Sequence, residues 1–222
     1  MQIMVVSTAA IALATTAVAA PNARPQLASE PLFSASQLVD LQPSGSAQDS
    51  ALYDAVQSLI ERYGITGISY TDNSVRKDLT ITASEAKIVL ISAYERLALL
   101  ASSSVESAVS AATDDDNAKI ISRYKTATDR ALNHAGSCQL LVGTKFAAKR
   151  KTSKPKAVAN GAAVSWTQTL ACLPGANVMP LDSNAYNLTA AVPAAAITRG
   201  EFLHKLNEAV DNSVAELSKA AS

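Results

Sequence analysis

Apolar residues recur at helical spacing in four segments of the chain. They form stripes over residues 49–63, 82–100, 113–135 and 198–218. The pattern predicts four amphipathic helices. It leaves open whether the serine-rich stretch at residues 102–104 interrupts the second of them. The first stripe consists of Leu52, Ala55, Val56, Leu59, Ile60 and Tyr63.

Polar residues mark where these helices begin and end. Thr82 and Glu85 have the spacing of a capping box, in which each side chain bonds the other residue's backbone amide. Thr198 and Glu201 repeat that spacing at the last helix. Gly64 follows the first stripe and predicts its C-terminal cap. The three acids at residues 114–116 lack the spacing of a calcium loop and predict a helix start instead.

The N-terminal segment predicts export. Residues 1–23 carry no charge, and residues 3–14 form an apolar run as long as a signal-peptide core. Ala17 and Ala19 supply small side chains before a cleavage site at Ala20. We therefore expect a signal peptide over residues 1–19, a flexible tether over residues 20–36, and a mature protein in the periplasm or cell envelope with no membrane span.

Residues 136–193 have a different, strand-like composition. Their β-branched and aromatic positions predict a β-hairpin. A turn at residues 152–156 would place Cys138 opposite Cys172, and an oxidising compartment favours a disulfide between them. Asn160-Gly161 is a competing turn signal that would separate the cysteines. The strand-like positions are Leu140, Val142, Phe146, Val158, Val164, Trp166 and Leu170.

The predicted fold is mainly α, or α+β overall. It has a helical domain at residues 37–135, the disulfide-bridged hairpin region at 136–193, and a C-terminal helix at 194–222 that packs back on the helical domain. Lys+Arg and Asp+Glu balance at 19 each, so no net charge directs the chain to nucleic acid. The sequence shows no nucleophile elbow, phosphate loop or zinc-protease motif. We expect a protein without catalysis, metal or cofactor.

Residues 37–97 resemble a surface-layer homology (SLH) repeat, most closely the one at the start of cyanobacterial outer-membrane porins. The resemblance rests on Asp40-Leu41, the stretch at residues 57–64 ending in Tyr63-Gly64, the loop with Gly67 and Asp72-Asn73, and the segment at residues 81–85. Residues 197–202, with the sequence Ile-Thr-Arg-Gly-Glu-Phe, look like a second, partial signature.

The resemblance implies binding to peptidoglycan or its attached acidic polysaccharide. In such repeats the signature arginine holds a carboxylate, a task that suits the rigid guanidinium fork. The first copy has Ala83 at that position, so Arg199 is the signature arginine that remains. We expect Arg199, flanked by Thr198 and Glu201, to contact the polysaccharide. The alternative interpretation of Arg199 is a solvated first-turn arginine.

Two other features are open to more than one interpretation. A basic patch at the predicted hairpin tip could contact anionic polymer or an acidic partner, or could be a solvated edge that discourages strand pairing. Trp166 could be core or a platform for sugar stacking. As an alternative function, the protein could be a small exported subunit docking on an envelope or membrane protein complex through its helical faces. The basic patch comprises Lys145, Lys149, Arg150, Lys151, Lys154 and Lys156.

Overall fold

The computed structural model describes residues 26–28, 32, 34–132, 135, 138–146, 156–175 and 195–220. The predicted signal peptide lies outside these residues. Short helical turns occur at Ala35–Gln37, Ser58–Arg62 and Gln139–Leu141. Within the described residues the α-helices are α1 (Ala47–Gln57), α2 (Ala83–Ala111), α3 (Asp114–Leu132), α4 (Trp166–Leu170) and α5 (Arg199–Lys219).

The first predicted helix is confirmed as α1 and the π turn that follows it. Ser46 caps α1 by accepting a hydrogen bond from the amide of Asp49. Its buried face includes Leu52 and Val56, at the spacing that the sequence pattern predicted. The chain leaves the turn at Gly64, whose φ of 64° is the left-handed conformation of a helix cap.

Helix α2 is longer than the apolar pattern required. It opens with the predicted capping box between Thr82 and Glu85 and runs for 29 residues to Ala111. The serine stretch does not interrupt it: the hydroxyls of Ser102 and Ser103 donate to the carbonyls of Ala98 and Leu100 in the preceding turn. By length and composition α2 could cross a membrane. A core helix passes the same test, and the N-terminal half of α2 lies in the main core.

Helix α5 packs on α1, α2 and α3. Helices α2 and α3 form an antiparallel hairpin, and its base meets the end of α5 in a second, small core. Most members of this small core are alanines, so the helices approach closely there. They are Ala101, Tyr124, Ala127, Ala131, Leu217 and Ala220.

The predicted β-hairpin is wrong in the described part of residues 136–193. Leu140 lies in the turn Gln139–Leu141, and Trp166 and Leu170 lie in α4. The physical reason is a further capping box. The Ser165 side chain accepts from the amide of Gln168, and the Gln168 side chain accepts from the amide of Ser165. These bonds satisfy the helix start and outweigh the strand preference of the flanking residues.

The predicted disulfide between Cys138 and Cys172 is present, with a Cα–Cα distance of 4.7 Å. It does not join paired strands. It ties the turn at Gln139–Leu141 to the end of α4, and the Tyr94 hydroxyl of α2 donates to the carbonyl of Cys172 at 3.0 Å. Asn160 and Gly161 do form a turn. The competing turn at residues 152–156 falls mostly outside the described residues.

A closed ring of backbone hydrogen bonds joins the starts of α2, α4 and α5. The Ile81 amide donates to the Ile197 carbonyl at 3.1 Å, Ile197 to Val164 at 2.9 Å, and Val164 to Ile81 at 3.1 Å. Three further backbone hydrogen bonds join the same segments in the opposite direction. The amides of Ala83, Trp166 and Arg199, each two residues after a ring member, donate to the carbonyls of Ala162, Ala195 and Leu79, each two residues before one.

The ring gives the chain an approximate threefold arrangement. Each contributing segment has a buried aliphatic residue, a capping Ser or Thr, two further residues, and then Glu or Gln. We call these segments unit A (residues 79–85), unit B (162–168) and unit C (195–201). Units A and C coincide with the two SLH-like signatures, and unit B lies in the region for which a hairpin was predicted.

Candidate functional site

Arg199 opens α5 in unit C, and its side chain points into the protein. The residue is 0% exposed. Its Nε donates to the carbonyl of Val75 and its Nη2 to the carbonyl of Ile68, both at 2.8 Å. The guanidinium carbon also lies 4.4 Å from the centre of the Tyr70 ring. Arg199 therefore joins the start of α5 to the loop at residues 68–76, which precedes unit A.

A buried carboxylate accompanies this guanidinium. The Tyr70 hydroxyl donates to Glu85 Oε1 at 2.8 Å, and the Thr82 amide donates to Glu85 Oε2 at 2.9 Å. Burial alone would raise the pKa of Glu85, but these hydrogen bonds and the charge of Arg199 outweigh it and hold the pKa below its usual value. Glu85 is thus an ionised partner of Arg199 across the boundary between units A and C.

The 68–76 loop is fixed from its other sides as well. Asp40 accepts from the amides of Val75 at 2.7 Å and Arg76 at 2.6 Å. Along another edge, the segment at residues 26–28 pairs with residues 69–71 through two backbone hydrogen bonds. The loop is therefore fixed from several sides. Arg199 donates to two of its carbonyls, and Asp40 accepts from two of its amides.

The predicted contact of Arg199, Thr198 and Glu201 with polysaccharide stays a prediction. The structure changes the geometry that such a contact would require. Thr198 and Glu201 bond each other: the Glu201 side chain accepts from the Thr198 amide at 2.8 Å and from its hydroxyl at 2.9 Å. In this conformation the Arg199 side chain is neither a surface group that a ligand can reach nor a solvated first-turn arginine. A carboxylate could reach it only after the 68–76 loop has moved.

Ala83 and Trp166 occupy the positions in units A and B that Arg199 occupies in unit C. Ala83 is 5% exposed, and Trp166 is half-buried and packs against the main core. The three equivalent positions thus hold an aliphatic, an aromatic and a cationic side chain. Unit B was not predicted, although Ser165 and Gln168 have the Ser-x-x-Gln spacing that indicates a helix start.

Only part of the basic patch lies within the described residues. Lys145 pairs with Glu95 of α2 at 2.8 Å and lies 5.2 Å from the centre of the Phe146 ring. Lys156 is exposed. The two lysines therefore give no geometry for the patch as a whole. The remaining members, Lys149, Arg150, Lys151 and Lys154, fall outside the described residues.

Within the part of the chain that the structure describes, no group of three His, Cys, Asp or Glu side chains could hold a metal ion. The larger concavities there are open grooves. One of about 410 Å³ lies between α2 and α3, over Tyr124, and is lined by Ser103, Ser104, Ser107 and Ala108. His134 lies outside the described residues, and Cys138 is committed to the disulfide.

No protein-family model, curated protein or solved structure significantly matches this chain.

Acid should loosen the 68–76 loop. Hydrogen bonds from Ser74 and the Arg76 charge lower the pKa of Asp72 to about 2, and the pKa of Glu85 is also lowered. A carboxylate with a depressed folded-state pKa contributes stability that is present above its unfolded value, about 4, and is lost as the pH falls toward the folded value. We expect the melting temperature to fall between pH 4 and pH 2.

The matched test compares Asp72→Asn with Asp78→Asn, a substitution at an exposed carboxylate next to the same loop. Asp72→Asn should flatten the decline in melting temperature over this pH range, because a titrating group has been removed. Asp78→Asn should leave the decline unchanged. Equal slopes in all three proteins would show that Asp72 contributes nothing to acid sensitivity.

Proposed function

We propose that this protein is a non-catalytic, exported cell-envelope protein that binds peptidoglycan or its attached acidic polysaccharide through its SLH-like helical body. The observation that supports the proposal most is the repetition of one helix-start unit around the ring. Two of the three units are the segments whose sequences resemble the SLH signature. The resemblance therefore concerns equivalent places in one arrangement rather than two scattered motifs.

Three cations, Arg199, Arg76 and Lys77, lie in or next to the 68–76 loop, and carboxylates accompany them: Asp72 pairs with Arg76, and Asp49 and Asp78 pair with Lys77. An acidic ligand would therefore be held by individual charge-assisted hydrogen bonds rather than by net positive charge. The basic patch at residues 145–156 would add attraction without specificity, because exposed charges are screened over about 8 Å at physiological ionic strength. Binding should accordingly have a salt-resistant and a salt-sensitive component.

Retention on purified sacculi tests the proposal. The protein should be retained by sacculi that carry their attached polysaccharide, without any other protein present. Changing Lys149, Arg150 and Lys151 to glutamine should reduce retention in low salt and leave retention in high salt unchanged. Absence of retention on sacculi, with or without the polysaccharide, would refute the proposed function.

The second candidate function is docking on an envelope protein complex, and exposed apolar residues on the α2–α3 hairpin favour it. Leu99 is 60% exposed and Ile121 is 48% exposed. They lie on the same hairpin as the open groove over Tyr124. This candidate predicts retention on whole envelopes and none on protein-free sacculi, so the same assay discriminates the two functions.

A further inference from the structure

Arg76 has an unusual backbone conformation for its residue type. Its φ is 51°, and among the described non-glycine residues only Asn73 (φ 58°) shares the left-handed region. Asparagine tolerates that region, whereas a long side chain incurs a steric cost there that glycine avoids. Asp40 holds the conformation by accepting from the amides of Val75 and Arg76. A residue kept in strained backbone is a candidate for a role beyond local stability.

The guanidinium of Arg76 is oriented rather than loose. Its Nε donates to Ser74 Oγ at 3.0 Å, and its Nη2 donates to Asp72 Oδ2 at 2.7 Å. The other oxygen of Asp72 accepts from the amide and hydroxyl of Ser74. The Arg76 side chain remains 40% exposed, and no described residue accepts a hydrogen bond from its Nη1. One N–H edge of a fixed guanidinium therefore faces solvent.

Arg76 and Arg199 contact the same aromatic ring. The guanidinium carbon of Arg199 lies 4.4 Å from the centre of the Tyr70 ring, and that of Arg76 lies 5.5 Å from it. Arg199 is 0% exposed, whereas Arg76 is reachable from solvent. Close to the position of the signature arginine, the structure therefore has one buried arginine, Arg199, and one exposed arginine, Arg76.

We infer that Arg76 is the residue that meets a carboxylate of the acidic wall polysaccharide, and that Arg199 and Asp40 are positioning residues that hold the 68–76 loop. The inference rests on the proposed function and names the contact within it. Binding uses the exposed N–H edge of a guanidinium that Asp72, Ser74 and Tyr70 have already oriented, so little side-chain freedom is lost when the ligand arrives. Asp72 stays bonded to Ser74 and Arg76.

The decisive variant is Arg76→Gly, because stability and binding should respond in different ways. Glycine relieves the left-handed strain, which offsets the small loss of the exposed ion pair with Asp72, so the melting temperature should change little. Retention on sacculi that carry the acidic polysaccharide should fall at least about tenfold at fixed salt, as expected for the loss of a charge-assisted contact. Arg76→Lys should recover only part of the retention, since an ammonium is not a planar fork.

Arg62→Gln is the matched control. Arg62 is also an exposed arginine, 65% accessible, paired with Asp211 and lying 5.1 Å from the centre of the Tyr63 ring, but it lies in a helical turn away from the 68–76 loop. Its loss should leave retention unchanged. The same sacculi stripped of polysaccharide should not distinguish Arg76→Gly from the parent.

The outcomes separate this inference from the proposed function. Equal retention of the parent and Arg76→Gly overturns the role of Arg76 and leaves the function standing. A fall in melting temperature that accompanies the loss of retention shows that Arg76 is structural and also overturns the inference. If the parent is not retained by sacculi at all, the proposed function fails and the inference fails with it.

Discussion

Replacing Arg199 with methionine should lower the free energy of unfolding by about 3–5 kcal/mol, as expected when one partner of a buried charge pair is removed. Methionine fills part of the volume but donates no hydrogen bonds. The carbonyls of Ile68 and Val75 lose their donors, and Glu85 keeps a buried charge without its cation. Urea unfolding followed by far-ultraviolet circular dichroism measures the change.

Two further variants serve as comparisons for Arg199→Met. Arg199→Lys should cost less than methionine, because a buried cation remains but cannot serve both carbonyls in the same geometry. Arg62→Met removes an exposed arginine and should change the free energy of unfolding by less than about 0.5 kcal/mol. A loss below about 1 kcal/mol for Arg199→Met would mean that the 68–76 loop does not depend on its internal cation.

Removing the disulfide should have the second large effect. Changing Cys138 and Cys172 to alanine releases a covalent loop of sequence separation 34. The chain-entropy model then predicts a loss of about 4 kcal/mol. Thermal unfolding of the double variant, beside the parent with and without reductant, measures it. If the parent melts at the same temperature in both redox states, the bond contributes nothing to stability.

The sequence predicted those elements whose signals are local. Capping boxes at Thr82 and Thr198 and the glycine at residue 64 depend on neighbours within four positions, so α1, α2 and α5 could be placed from spacing alone. The Cys138–Cys172 bond followed from the count of two cysteines. The serine stretch in α2 was ambiguous, because serine hydroxyls can support a helix or compete with it.

The failures concern features that local composition hides. Val164, Trp166 and Leu170 have strand-like composition, which masked the local helix-start spacing of Ser165 and Gln168. The ring bonds of this segment to Ile81 and Ile197 come from distant parts of the chain and could not be predicted. The burial of Arg199 could not be predicted either. A first-turn arginine usually projects into water, and nothing near it in sequence indicates that two carbonyls of the 68–76 loop face it.

The ring also has a consequence for the order of folding. A chain synthesised or delivered from its N-terminus presents Ile81 long before Val164 and Ile197, so unit A waits without its hydrogen-bonding partners until the last helix arrives. Contacts between such distant positions carry a large loop-closure cost and form late. We therefore expect the ring to close only after residues 195–201 have emerged, later than the local helices of the N-terminal half form.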